Sequence, residues 1–523
     1  MMLPPSHVDV VTKGIRTTDR SASCGDVSIT SVVGIETGVD ADDIRFSLTL
    51  PGSASLGAFQ AGAMSALAVA ITTVRRDGRP VHVDAIGGSS AGSIVGMLFG
   101  HCLLNGRDTP LMLRSAWVDN VDMFMLRSHG SGAPLEMDRL RENLVDMIDD
   151  TEDHPCDVHD PLPSPVDLEV GLTSLLGFTV PVTAHAGEVS SLTYADWARF
   201  TLRPGGGRAE VVEAPGSSLL DAVLASAAHP LAFEPSLLDR QGDREVYEQR
   251  GIDNLPDTSA LWFTDGGLVE SRPVGRIVVA ARRRAGQGSG RRVHLIVDPR
   301  SSGPSGDAMW ADSSTTRTWL DGLRRAISVV PTQALHDDVR SVADVNRRLA
   351  ALDDAVDQLA DETDGGLNDE RRSELRERFA RVADLQGKEH VDIEMISPLP
   401  QTDQADGVTD LLAGDFIGAF GGFLERSIRR SDFALGWAST QSWIEQGGLA
   451  RSGLGADEIA AVLHAVATHE FADEGDAVVE GDGIDQLDAG GRWRLALLAA
   501  HVAKVVVAKA VPSKPAFLER RSS

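Results

Sequence analysis

The chain has 523 residues and a formal net charge of −28. That length exceeds one compact hydrophobic core, and that charge excludes a nucleic-acid binder, which needs a concentrated basic surface to meet phosphates. It also excludes passive adhesion to an anionic membrane, so any lipid contact must come from a local apolar or basic patch.

The three cysteines, Cys24, Cys102 and Cys156, are widely spaced and odd in number. They form no disulfide framework and point to a reducing compartment. The opening MMLPPSHVDVVTKG lacks the apolar stretch of a signal peptide, and no run long enough to span a membrane stands out. A cytoplasmic protein is expected, with peripheral contact at a membrane surface left open.

Residues 1–42 are polar and rich in Gly, Ser and Asp, and read as a loosely held leader. Ile44–Leu50 alternates apolar and polar residues, the pattern of a strand. Pro51–Gly57 is a small-residue loop, Ala58–Val74 an Ala-rich buried helix and Val81–Ile86 a second strand. Gly87–Gly92 is a turn that opens an apolar helix, Ser93–Leu104. Strand, loop, helix, strand, turn, helix is the signature of an α/β parallel sheet, here read as three layers with helices on both faces. Further strands are predicted at Val166–Leu172, Val293–Val297 and Val391–Ile396, and helices at Leu135–Ile148, Ser218–Ala228 and Arg272–Arg282.

The α/β core is thus expected over residues 43–300, followed by a charged helical insert over 301–390 and a mostly helical region over 391–523. Apolar spacing in Gln333–Leu359 predicts a helical hairpin, and Trp493–Val511 a helix docked on the core. Val391–Ile396 is the candidate to return to the sheet.

Three short motifs carry chemistry. Gly88-Ser89-Ser90-Ala91-Gly92 is a Gly-x-Ser-x-Gly. Alone it is weak, but it follows an apolar strand and opens an apolar helix, as a nucleophile elbow must. Gly52-Ser53-Ala54-Ser55-Leu56-Gly57 is a loop small enough to expose backbone amides, which can stabilise an oxyanion. Only its amides are expected to act, which leaves the Ser53 side chain free of a task. Asp265, after Leu261-Trp-Phe-Thr264 and before Gly266-Gly267, can be held against a nucleophile at a strand end. Each of these, taken singly, is also an ordinary turn.

In this order the three motifs resemble the patatin-like phospholipase family, with its Gly-rich oxyanion loop, Gly-x-Ser-x-Gly elbow and Asp-Gly-Gly motif. Gly57-Ala-Phe-Gln-Ala-Gly62 resembles the family's loop-to-helix junction, and Ala225–Pro235 its Ser-Ala-Ala-x-Pro segment. The resemblance runs from about Ile44 to about Pro299. It implies a lipid acyl ester hydrolase with Ser90 as nucleophile and Asp265 as base. Oxyanion donors would come from Gly52, Ser53 and Ala54, and Ala91, His229 and Pro230 would line the acyl site. It implies a lipid substrate and no metal or organic cofactor. Two departures stand out: Leu56 occupies the position of the family's Arg or Lys, and His229 that of a small or aliphatic residue. The first suggests lowered activity, or a scaffold used for partner binding. A Ser-His-Asp esterase is the other alternative, disfavoured by motif order.

His154, Cys156 and His159 offer metal-ligand types in one stretch, but no second pair stands at the spacing of structural zinc. An acidic surface loop is expected there.

Overall fold

The computed structural model describes residues 43–500 apart from 123–125, 128–132, 185–186, 205–209, 213–216, 286–290, 301–317, 363–367, 399–411, 416–418, 473–486, 498–499 and the single positions 151, 157, 231, 253, 384, 387, 389 and 488. The leader expected over 1–42 and most of the helix expected over Trp493–Val511 lie outside the described residues.

Strand β1 (Ile44–Leu50) leads through the small-residue loop into α1 (Gly57–Arg76), and β2 (Val81–Gly88) leads into α2 (Ala91–Asn105). Helices α3 (Thr109–Arg114) and α4 (Met137–Asp149) follow. The Asp108 carboxylate caps α3 by accepting from the Leu111 amide at 2.9 Å. Strands β3 (Val166–Ala184) and β4 (Gly187–Arg203) form a long antiparallel hairpin, with β5 (Glu210–Val212) beside β4. Helix α5 (Leu219–Ser226) opens on a capping box made by Ser218 and Asp221. Next come β6 (Ser236–Asp239), α6 (Arg244–Gln249), β7 (Ala260–Asp265), α7 (Val274–Ala285) and β8 (Arg291–Val297). The chain continues through α8 (Trp319–Glu362), α9 (Asp369–Val382), β9 (Ile393–Ile396), α10 (Arg426–Glu445), α11 (Gly448–Arg451) and α12 (Ala456–Thr468).

Among the described residues the strands form one mixed sheet in the order β5-β4-β3-β2-β1-β8-β9, with β7 pairing both β3 and β6. The pairs β1–β2, β2–β3, β1–β8 and β8–β9 are parallel. Strand β3 continues past the end of β2, and that overhang is where antiparallel β7 returns, Leu172 facing Asp265.

The alternation in β1 predicts one solvated face, yet every residue of the strand is buried. On the polar face the Arg45 guanidinium donates to Asp84 at 2.6 Å and Ser47 bonds His294, beneath α7. Burial pushes the Asp84 carboxyl up to about 6, against the pull of Arg45. A polar strand face is therefore not always a wet one; here paired charges replace water.

Two further expectations change. The segment from Ala54 to Arg76 is long and apolar enough to cross a membrane, contrary to the sequence scan, but it is buried in the core against α10, α12 and α3. Gln333–Leu359 contains no hairpin turn: it lies wholly within α8, having neither Gly nor Pro to break it. The hairpin is α8 with α9, and Gly365-Gly366 falls between them. The two helices pack through Leu349, Leu352 and Ala380, joined by Leu385 just past the end of α9. Helix α10 runs along α1, and residues 40–523 fall in one compact unit.

Candidate active site

Ser90 sits between the end of β2 and the first residue of α2, with φ 53° and ψ −127°. Residues with a side chain rarely adopt this region, and it recurs at functional turns. The turn is closely packed: a Cβ on Gly92 would lie 2.1 Å from the Leu50 carbonyl oxygen. The Ser90 carbonyl accepts from the Ser93 amide at 3.0 Å and the Ser93 hydroxyl at 2.6 Å. Ser90 thereby caps a 15-residue helix whose N-terminal dipole favours negative charge nearby. The neighbouring Ser89 is fully buried and its hydroxyl donates to the Glu270 carbonyl at 2.9 Å.

The Ser90 Oγ donates to Asp265 Oδ2 at 2.6 Å, and Asp265 Oδ1 accepts from the Gly267 amide at 2.7 Å. Only 3% of Asp265 is exposed. Desolvation raises its carboxyl to about 6, opposed by the hydrogen bonds from Ser90 and Gly267. A carboxylate of raised basicity in contact with a serine hydroxyl can take its proton.

The loop after β1 closes on this pair. A Cβ on Gly52 would sit 3.3 Å from Ser90 Cβ and 3.4 Å from Gly267 Cα. The amides of Gly52, Ser53 and Ala54 make no hydrogen bond among the described residues, which leaves them for a ligand. The Ser53 hydroxyl is not idle: it donates to Gln60 Oε1 at 2.9 Å, and Gln60 Nε2 donates to the Pro51 and Val297 carbonyls at 2.9 and 3.2 Å. Leu56 is fully buried in the main core, so its position cannot supply a cation to the site.

The loop is also fastened from far along the chain. The Ser55 amide and hydroxyl both donate to the Ala419 carbonyl, at 2.8 and 2.6 Å, and the Gly422 amide donates to Ser55 Oγ at 3.0 Å.

An apolar pocket leads away from Ser90. Its walls are Ala91 and Ile94 of α2, Trp117, Val121, the stripe Leu140, Leu144 and Met147 of α4, and Phe420 with Phe423. Such a lining suits a hydrocarbon chain. Asn120, Asn143 and His229 are its polar members. His229 meets Phe420 edge-on at 5.2 Å; burial, then the charge of Arg300, holds its pKa below the usual value and keeps it neutral at pH 7.

Of the predicted lining residues, Ala91 and His229 face the pocket and Pro230 does not. Pro230 is exposed, because the chain turns at His229, whose carbonyl accepts from the Ala232 and Phe233 amides. That turn brings Phe233 to the pocket instead. Nothing in the residues marks Phe420 and Phe423, or the α4 stripe, as pocket walls, because their place depends on contacts remote in the chain. Among the described residues no group of three His, Cys, Asp or Glu side chains could hold a metal; Cys156 instead accepts from Arg107 at 3.4 Å.

Residues 48–277, which span the elbow, the loop and the Asp265 turn, match the family model described as patatin-like phospholipase. The chain carries a patatin-like phospholipase domain. Over 149 residues the chain is 32% identical to the uncharacterized membrane protein Rv3479 of Mycobacterium tuberculosis, a match covering 27% of this chain and 14% of that protein. Among solved structures it is similar to VipD from Legionella pneumophila, at 10% identity and a TM-score of 0.27, covering 86% of this chain and 94% of that one. So low a score carries nothing for fold or function. The patatin-like domain ends before β8, so β8, β9 and α10, which complete the sheet and its helical cover, lie beyond the family match.

Proposed function

We propose that this chain hydrolyses lipid acyl esters through an acyl intermediate on Ser90, with Asp265 as general base. The observation that carries this reading is the 2.6 Å bond from Ser90 Oγ to a buried carboxylate at the head of an apolar pocket. Asp265 takes the hydroxyl proton as Ser90 Oγ attacks the ester carbonyl. The amides of Gly52, Ser53 and Ala54 receive the oxyanion, each donor contributing about 3–4 kcal/mol. Collapse of the tetrahedral intermediate expels the alcohol, which takes the proton back from Asp265. Water then enters, Asp265 removes its proton as the oxygen attacks the acyl carbonyl, and collapse frees the acid while Asp265 returns the proton to Ser90 Oγ.

The pocket admits the acyl chain, and His229 is read as lining rather than catalytic. Exposed Leu268 and Val269, just past the Asp265 turn, suit peripheral contact with a lipid surface in the cytoplasm.

Ser90→Ala should abolish hydrolysis of a long-chain acyl ester, while Ser89→Ala, which retains the Ser90 hydroxyl, should keep most of the turnover. Rates of both variants, with circular dichroism to verify folding, test the reading. Full activity in folded Ser90→Ala removes Ser90 from the mechanism and leaves a hydrolase of another type, whereas no turnover in folded wild type leaves the domain as a scaffold.

A further inference from the structure

Nucleophile and base stand on different strands, Ser90 after β2 and Asp265 at the end of β7, yet one turn of chain touches both. Helix α5 ends at Ser226, which is fully buried. Its hydroxyl accepts from the Ser90 amide at 2.8 Å and donates to the Gly171 carbonyl of β3 at 2.6 Å. Two residues on, the Ala228 carbonyl accepts from the Asp265 amide at 3.0 Å and the Thr264 hydroxyl at 2.7 Å. The residues between and after, Ala227 and His229, line the acyl pocket.

We propose that Ser226 is a positioning residue for the Ser90–Asp265 pair, its hydroxyl holding the elbow peptide so that Oγ points at the carboxylate. The proposal rests on the reading of Ser90 as nucleophile. The backbone of Ser90 lies at φ 53° and ψ −127°, a conformation that persists only where the surroundings hold it. The Ser90 amide is buried and would be an orphan donor without Ser226. A hydroxyl suits this place because it must accept on one side and donate on the other. Alanine does neither. With the Ser90 amide engaged by Ser226, the oxyanion falls to the free amides of the Gly52–Ala54 loop. The same turn fixes the backbone of Asp265, so both partners refer to one short segment, and that segment also contacts the acyl chain.

The test compares wild type, Ser226→Ala, Ser226→Thr and Ser226→Cys in the full chain. Five quantities are read: kcat and KM on a soluble p-nitrophenyl acyl ester, the rate of labelling by a fluorophosphonate, the pH dependence of kcat/KM, and the melting temperature. Ser226→Ala should lower kcat and the labelling rate by roughly 10–100-fold, the scale of a misplacement near 1 Å, with KM little changed. Its acid-side inflection should move up, because Asp265 loses the hydrogen bond from Ser90 that opposes its desolvation. Ser226→Thr, which keeps the hydroxyl, should recover most of the rate. Ser226→Cys, with a weak hydrogen bond at similar size, should fall between. Wild-type kcat and labelling in Ser226→Ala overturns the proposal. So does a loss that follows melting temperature across all three variants while the inflection stays fixed. Wild type that takes no label overturns the nucleophile reading, and this proposal with it; labelled wild type beside an unaffected Ser226→Ala overturns this proposal alone.

Discussion

Asp265 is poorly solvated, which suits the proposed role of base, and the same burial makes it costly to the fold. Its carboxyl is raised from 3.8 to about 6, so the charged form is the disfavoured one in the folded chain. The stability this group contributes is complete below about pH 4 and is lost as pH rises through 6. A shift of this size corresponds to about 3 kcal/mol by pH 8. Asp265→Asn removes that penalty while removing the base. Thermal melts at pH 8 should therefore show the variant as stable as wild type or more so, while kcat falls by about 10²–10⁴-fold. A markedly lower melting temperature at pH 8 would instead make Asp265 a structural residue. In wild type, activity should fall as pH drops through about 6, and the inflection should vanish in Asp265→Asn. Its position alone does not separate Asp265 from a histidine, whose ordinary pKa lies close by, so the variant decides.

Leu56 makes a second point at this scale. Replacing it with Arg, to recreate the cation found in the family loop, places a charge in the apolar core rather than beside the oxyanion. Leu56→Arg should cost about 3 kcal/mol or more, read from urea denaturation, with no gain in kcat. An active, equally stable Leu56→Arg contradicts the core placement. Ser90 and Asp265 were legible in the sequence because a strained turn and a strand end demand small neighbours, and Gly88, Gly92, Gly266 and Gly267 are visible as letters. Ser226 was visible as the Ser of the Ser-Ala-Ala-x-Pro segment, but its bond to the Ser90 amide was not, and Phe420 was not visible at all, because both relations run through folding, across 136 residues in the case of Ser226. Pro230 was misplaced because one turn at His229 redirects the chain.

Elements were legible where periodicity and burial agree. Helices α1 and α2, strands β1 and β2, and the junctions between them follow the expected bounds closely. The overhang of β3 was missed, since only its first part reads as a strand, and β4 was missed although buried Ala198, Phe200 and Leu202 alternate with half-buried Arg199 and Thr201. That overhang matters, since it carries β7, and with it Asp265, back to the elbow. The crossing of α1 and α10 was equally hidden. A Cβ on Gly436 would lie 2.0 Å from the Phe59 carbonyl oxygen, and one on Gly62 1.9 Å from that of Phe433. Backbone meets backbone there, and neither helix can yield by turning a side chain. Gly436→Ala should destabilise the chain by about 1–3 kcal/mol, the usual cost of overpacking, although alanine is the better helix former. Chemical denaturation measures this, and a stabilised variant contradicts the close crossing.

At the scale of the molecule, sequence distant from the family match holds the site together. Ala419 and Gly422 bind Ser55 in the loop after β1, Phe420 and Phe423 line the pocket, and α10 covers α1. The later part of the chain is thus joined to the chemistry through the loop it braces. The central claim is that Ser90, activated by Asp265, is the residue that becomes acylated. Peptide-mapped mass spectrometry of the fluorophosphonate adduct tests it most directly, on wild type and Asp265→Asn side by side. The account predicts one adduct, on Ser90, formed much more slowly in Asp265→Asn; an adduct on another residue, or none on folded wild type, contradicts it.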